Sequence, residues 1–246
     1  MKISEGLLYG YGVFETIKVL NRKPIYLLEH FNRIENSSKV LGINIDLDFE
    51  NFKNKIMNEI NKFEKDTFAL RISFLKNKEN SDIIINKREI VYTRKMYEDG
   101  FKLTFSKILK NETSKVVYHK TLNYLENLIE LKNAKEEGYN EVIFLNTKGY
   151  ISECATSNIF VIKNKKLYTP KIESGILNGI IRGKIINHFK KMGMEVYERN
   201  MGRDFLVNGD EIFITNSIMG IMPIAEVNNL KYDMKFTKKL KGILTI

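Results

Sequence analysis

Lys120 stands in His119-Lys120-Thr121-Leu122-Asn123-Tyr124, where a strand-like stretch, Lys115 to Tyr118, gives way to a helical pattern from about Leu122 to Glu137. A cation at a helix N-terminus opposes the helix dipole. That field, together with desolvation, favours the free amine, the form that makes Schiff bases with carbonyl compounds. An ordinary exposed lysine is the competing reading. A second place is Leu177-Asn178-Gly179-Ile180-Ile181-Arg182, where Gly179 permits close backbone approach and the first turn of a helix offers N–H groups to an anion. Many helices begin after glycine, so a plain helix start stays open. The histidines at 30, 119 and 188 have no metal-binding spacing, and the single cysteine, Cys154, can build neither a thiolate site nor an internal disulfide. No metal is expected. Motifs of the GxGxxG, GxxxxGK[ST], GxSxG and HExxH types are absent.

The elements that must carry these residues follow from periodicity. Tyr26 to Leu41 places Leu27, Phe31, Ile34, Ser38 and Leu41 at helical steps, and Gly42 stops it. A second helix is predicted from about Phe49 to Phe63, with Phe49, Phe52, Ile56 and Ile60 on one side. Phe68, Leu70, Ile72 and Phe74 alternate as a strand, and a further strand is expected at Glu89 to Thr93. Arg94 to Gly100 reads as a linker, which divides the chain into domains 1–96 and 97–246. In the second half Leu122, Leu125, Leu128 and Ile129 are expected to face inward from the helix that Gly138 ends. Strands follow at Glu141–Leu145, Tyr150–Ser152, Asn158–Lys163 and Leu167–Thr169. A helix spans Ile180–Lys191 with Ile181, Ile185 and Phe189 buried, and Glu211–Thr215 is expected as the last strand. The class is α+β, with a barrel-like mixed sheet in the second half.

The 246 residues, 43% of them hydrophobic, suffice for a sizeable core. The excess of 40 basic over 30 acidic residues is spread along the chain. That argues for a solvated lysine-rich surface and against a nucleic-acid stripe, and it suits small anionic ligands. No apolar run is long enough for a membrane helix and no signal-like start is present, so a soluble, cytoplasmic protein with no membrane partner is expected.

Six segments stand in the order and spacing of one family. They are Gly12-Val-Phe-Glu-Thr16, His30-Phe-Asn-Arg33, His119 to Leu125, Gly149 to Glu153 with Ser157 to Phe160, Leu177 to Arg182, and Asp210 to Ser217. The chain resembles the class IV aminotransferases, the fold-type IV pyridoxal-phosphate enzymes, over nearly its whole length. The resemblance implies a two-domain fold with a smaller N-terminal α/β sandwich and a C-terminal barrel-like mixed sheet with helices. It implies pyridoxal 5′-phosphate as cofactor and a homodimer. Lys120 matches the catalytic lysine that holds the cofactor as a Schiff base and shuttles the proton. Glu153 matches the carboxylate that pairs with the pyridinium nitrogen, and Arg33 the arginine on the phosphate. Gly179, Ile180 and Ile181 match the helix start that receives the phosphate, Asn216 and Ser217 its second cradle, and Leu177 the leucine packed on the ring.

Within the family, Lys120 to Leu125, Glu153 to Phe160 and Thr215 to Pro223 lean toward the 4-amino-4-deoxychorismate lyases, which release pyruvate and p-aminobenzoate for folate biosynthesis. Ile181, where aminotransferases usually carry threonine, leans the same way. An amino-acid aminotransferase, branched-chain or D-specific, is the alternative. Some positions depart from the family pattern. About nine residues precede Gly10, so a smaller first sheet is expected. Tyr11 replaces a common aspartate, and the stretch from Arg71 lacks an arginine-glycine pattern, which leaves recognition of the substrate carboxylate open. Phe14 and Tyr92 are candidates for the pocket wall, with a core role as the alternative.

Overall fold

The computed structural model describes residues 4–78, 80–240 and 242–243. Two units divide the chain: one comprises the residues up to Val91 together with His119–Tyr124, the other Tyr92–Tyr118 and the residues from Leu125 onward.

In the first unit α1 (Glu5–Tyr9), whose Leu7 N–H is capped by Ser4 Oγ at 3.3 Å, leads into β1 (Gly12–Leu20). β2 (Lys23–Pro24), α2 (Leu27–Leu41), α3 (Phe49–Asn61), β3 (Phe68–Asn77) and β4 (Asn80–Arg88) follow, and the antiparallel sheet has the order β2-β1-β3-β4. Side chains alternate across a strand, so one face of β1 carries Val13, Glu15, Ile17 and Val19 opposite Phe74, Ile72, Leu70 and Phe68 of β3. That face packs with Phe31 and Ile34 of α2 and Phe52, Ile56 and Ile60 of α3. Each such buried side chain contributes roughly 1.5–3 kcal/mol. The other face carries Phe14, Thr16 and Lys18 beside Ser73, Arg71 and Ala69.

The two predicted helices, α2 and α3, stand as the periodicity predicts, but the strand expected at Glu89–Thr93 does not. The partner of β3 is β4, in which Ile83 and Ile85 reach the core while polar residues alternate with them. A one-faced edge strand needs few apolar residues, and here they lie among Asn, Asp and Lys.

The second unit opens with α4 (Arg94–Asp99), a short helix where a linker is expected, capped by Thr93 Oγ1 on the Met96 N–H at 3.4 Å. Next come β5 (Phe101–Lys110), a single 3₁₀ turn at Lys115–Tyr118 in place of the strand-like reading, and α5 (Leu125–Glu136). The remaining elements are β6 (Glu141–Asn146), β7 (Ile151–Cys154), β8 (Asn158–Lys163), β9 (Lys166–Thr169), α6 (Ile180–Lys191), β10 (Val196–Glu198), α7 (Arg203–Val207), β11 (Glu211–Asn216), β12 (Gly220–Val227), β13 (Leu230–Lys231) and α8 (Lys235–Lys239). They form a curled mixed sheet of order β10-β9-β8-β11-β12-β5-β6-β7, with β13 on β12. β5 lies parallel to both β6 and β12. Leu103, Ile143, Ile159, Val161, Ile212, Ile214, Met222 and Ile224 fill its core.

Two further expectations fail in this unit. β11 is not the last strand, because β12 continues the sheet beyond it. The inward face of α5 is also not the leucine row: Leu125, Leu128 and Ile129 are 71%, 54% and 46% exposed. The buried positions are Asn127, which donates to the Ala155 carbonyl at 2.7 Å, and Ala134.

Candidate active site

The lysine owes its place to a strand edge. The Phe14 N–H donates to the Lys120 carbonyl and the Leu122 N–H to the Gly12 carbonyl, both at 2.9 Å, with Val13 and Thr121 as bridge partners. Lys120 to Leu122 therefore extend the sheet beside β1, and α5 starts only at Leu125. The helix-dipole argument for Lys120 fails with that, since the dipole acts within the first turn.

What surrounds the amine instead is aromatic and cationic. Lys120 Nζ lies 4.3 Å from the Phe14 ring centroid and 5.6 Å from that of Tyr124, and the two rings meet edge to face at 5.7 Å. The Arg71 guanidinium lies 3.7 Å from the same Phe14 centroid and donates from Nε to Ser73 Oγ at 3.3 Å. Among the described residues no carboxylate pairs with Arg71. Burial lowers its pKa, so its charge is only partly solvated. Phe14, 4% exposed, is thus both a core residue and the floor under two cations.

On the helix-facing side of β1, Glu15 is fully buried. Its carboxylate accepts from Arg33 Nε at 2.6 Å and Nη2 at 2.7 Å, and lies 2.6 Å from His30 Nδ1. His30 and Arg33 share one face of α2 at a spacing of three. Burial pushes the Glu15 carboxyl up, but the charges and hydrogen bonds of Arg33 and His30 reverse this and hold it at about 2. Burial also pushes the His30 pKa down, and the Glu15 charge opposes that shift while those of Arg33 and Lys120 add to it. A neutral ring carrying its proton on Nδ1 satisfies Glu15.

The second unit assembles another group. The Leu177 N–H donates to Glu153 Oε2 at 3.0 Å, and Asn158 Nδ2 reaches both the Leu177 carbonyl at 2.9 Å and Glu153 Oε2 at 3.4 Å. Gly179 caps α6, and a Cβ there would lie 2.0 Å from Asn158 Oδ1. No side chain caps this helix start, which leaves the first-turn amides of Ile180 and Ile181 for an anion. Arg182 plays another part: buried, it donates to the Pro170 carbonyl at 2.9 Å and pairs with Glu198 at 2.7 Å. Asn216 and Ser217 lie where β11 turns into β12. Asn216 Oδ1 accepts from the Ile218 and Met219 N–H groups at 2.9 Å each, and its Nδ2 donates to the Thr156 carbonyl at 3.3 Å. Tyr92, a candidate wall residue, packs on Phe101 and the core of this unit.

A family model, Amino-transferase class IV, matches residues 12–227. The chain belongs to this family. Class IV aminotransferases are pyridoxal-phosphate enzymes, and the residues present suit that cofactor: an amine, a carboxylate, an arginine and a glycine-opened helix start that a Cβ would close. A Methanocaldococcus jannaschii protein named "Putative branched-chain-amino-acid aminotransferase" is 31% identical over 96% of the chain and 86% of its own length. The Aminodeoxychorismate lyase of Bacillus subtilis is 27% identical over 92% of the chain and 81% of its own length. A Legionella pneumophila crystal structure, named "Putative 4-amino-4-deoxychorismate lyase", superposes with a TM-score of 0.92 at 26% identity, covering 98% of this chain and 92% of that one. The class IV fold, with its two curled sheets, is therefore the fold of this chain.

The sequence reading gave no role to Glu15, His30, Arg71, Thr156 or Asn158. For Glu15 a signal existed: a carboxylate at the same strand parity as Val13 and Ile17 points into a core and needs a partner. Arg71 carries the mirror signal on the opposite parity.

Proposed function

We propose that this chain is a 4-amino-4-deoxychorismate lyase, releasing pyruvate and p-aminobenzoate. The observation that carries this reading is the Phe14 ring with an amine over it, with a guanidinium that pairs with no carboxylate among the described residues, and with Tyr124 at its edge. A cyclic acid matches such a surface, its ring against aromatic faces and its carboxylate on Arg71. A branched aliphatic side chain would leave the Arg71 charge unanswered.

Bound pyridoxal phosphate supplies the electron sink for the carbanion left when a substrate loses the proton on its amine-bearing carbon. Lys120 Nζ would hold the cofactor through its aldehyde, and its amine is the base that would take that proton. Glu153 would keep the ring nitrogen protonated, and its bond to the Leu177 N–H fixes both the carboxylate and the residue assigned to the ring face. Arg33, the amides of Ile180 and Ile181, and the Asn216-Ser217 turn are assigned to the phosphate, with Gly179 clearing the approach. Glu15 holds the guanidinium of Arg33 in one orientation. The C–O bond on the neighbouring carbon would then break with its electron pair leaving as the enolate of pyruvate, which takes up a proton to give pyruvate, while the ring left behind becomes aromatic.

A class IV amino-acid aminotransferase is the second reading, favoured by the Methanocaldococcus likeness. A dicarboxylate such as 2-oxoglutarate would also answer Arg71. The family's homodimer is proposed as well, supported by the exposed row Leu125, Leu128 and Ile129 on α5. The test is one cofactor-loaded preparation assayed for p-aminobenzoate release and for keto-acid formation from L- and D-amino acids with 2-oxoglutarate. Release with little transamination is expected. Transamination alone overturns the lyase reading in favour of the second.

A further inference from the structure

Glu141 is 3% exposed at the start of β6 and takes no cation as an ion-pair partner among the described residues. Burial pushes the Glu141 carboxyl up to about 7, and its hydrogen bonds offset that cost in part. Two of these bonds go to one residue. Glu141 Oε1 accepts the Thr156 N–H at 3.1 Å and Oε2 the Thr156 hydroxyl at 2.6 Å. Thr156 sits in the tight turn joining β7 to β8, closed by the Cys154 N–H on the Ser157 carbonyl at 2.8 Å. The carbonyl of Thr156 in turn accepts Asn216 Nδ2, and Asn216 Oδ1 accepts the Ile218 and Met219 N–H groups. Thr215 Oγ1, one residue before Asn216, is buried and has no hydrogen-bond partner among the described residues, a polar group that the fold itself leaves unused.

We infer that Glu141 is a positioning residue for the cofactor phosphate, acting through Thr156 on the turn that carries Asn216 and Ser217. The inference rests on the assignment of that turn to the phosphate. Glu141 touches no ligand. It holds Thr156 by its N–H and its hydroxyl, on either side of the Cα, so that the residue presents its carbonyl, in the next peptide, to Asn216, and the Asn216 side chain then braces the turn from within. Without the carboxylate the Thr156 N–H and hydroxyl lose their acceptor, and the bond from Asn127 Nδ2 to the Ala155 carbonyl is left to hold that peptide. The loss passes to Asn216 through a single bond.

The test compares two ligands on the full chain stripped of cofactor: pyridoxal phosphate, and pyridoxal, which lacks the phosphate. Dissociation constants come from absorbance titration of wild type, Glu141→Ala, Glu141→Gln and Thr156→Val. Glu141→Ala is expected to weaken pyridoxal phosphate about ten-fold and pyridoxal by no more than about two-fold. Glu141→Gln keeps an acceptor oxygen and restores most of the affinity. Thr156→Val, which keeps the backbone donor and the carboxylate, gives the same selective loss at about three-fold, and serves if Glu141→Ala does not fold. An equal loss for both ligands, or an unchanged ratio in every folded variant, overturns the inference and leaves Glu141 a fold residue. A wild-type chain that binds pyridoxal as tightly as pyridoxal phosphate overturns the phosphate assignment itself, a different result from an unchanged ratio among variants.

Discussion

The side chains around β1 make the sharpest demands. Glu15 and His30 both carry less proton in the folded chain than in the unfolded one, since both pKa values are lowered from 4.5 and 6.5. The unfolded state therefore binds more protons in acid, and stability falls as pH drops, first below about 6.5 through His30 and then from 4.5 toward 2 through Glu15. The Glu15 part amounts to about 3 kcal/mol. Glu15→Gln should flatten the lower part of that acid transition, and should destabilise the chain by about 3 kcal/mol at pH 7 because Arg33 loses its partner. Urea melts at a series of pH values measure both. Among the proposed catalytic groups, Lys120→Ala should abolish turnover and leave the fold intact, read by the assay beside circular dichroism. Glu153→Gln should retain the cofactor and slow proton removal, because a neutral amide cannot hold the ring proton. Arg71→Met should raise KM for the anionic substrate about ten-fold with a smaller change in kcat.

At the scale of elements, Gly179 and α6 show how a helix start is kept open. Gly179→Ala would drive a methyl against Asn158 Oδ1, and Asn158 can yield only by releasing the Leu177 carbonyl. We expect about ten-fold weaker cofactor binding with little change in melting temperature, measured by the same titration. The bounds of α6 were readable from spacing alone, because Ile181, Ile185 and Phe189 form an unbroken apolar face. α2 and α3 were readable for the same reason. β4 was not, since its half-buried residues Ile83 and Ile85 sit among residues typical of turns. α5 misled in the opposite sense: its apolar row faces outward while Asn127 faces in, a pattern that a periodicity argument inverts. The site showed the same division. Local spacing pointed weakly to Lys120 and Gly179, and family resemblance supplied Arg33, Glu153 and Asn216. Neither gave the contacts of Arg33 with Glu15 or of Glu141 with Thr156, which join residues 18 and 15 positions apart.

For the whole molecule, a homodimer should elute at twice 28.8 kDa, and Leu128→Glu on α5 should shift the population toward monomer. An unshifted elution profile would place the subunit contact elsewhere. The covalent path of the chain has a further consequence. The hexapeptide His119–Tyr124 belongs to the first unit, yet it is strung between two stretches of the second. A fragment ending at Val91 would therefore lack the strand that closes the edge of β1 at Gly12–Phe14, leaving backbone donors and acceptors bare and inviting self-association. The first unit is thus not a transferable module. A gene fusion or proteolytic trimming at residue 91 would separate it from the lysine segment that completes its sheet, so strand-edge protection and the amine proposed for the chemistry stand or fall together.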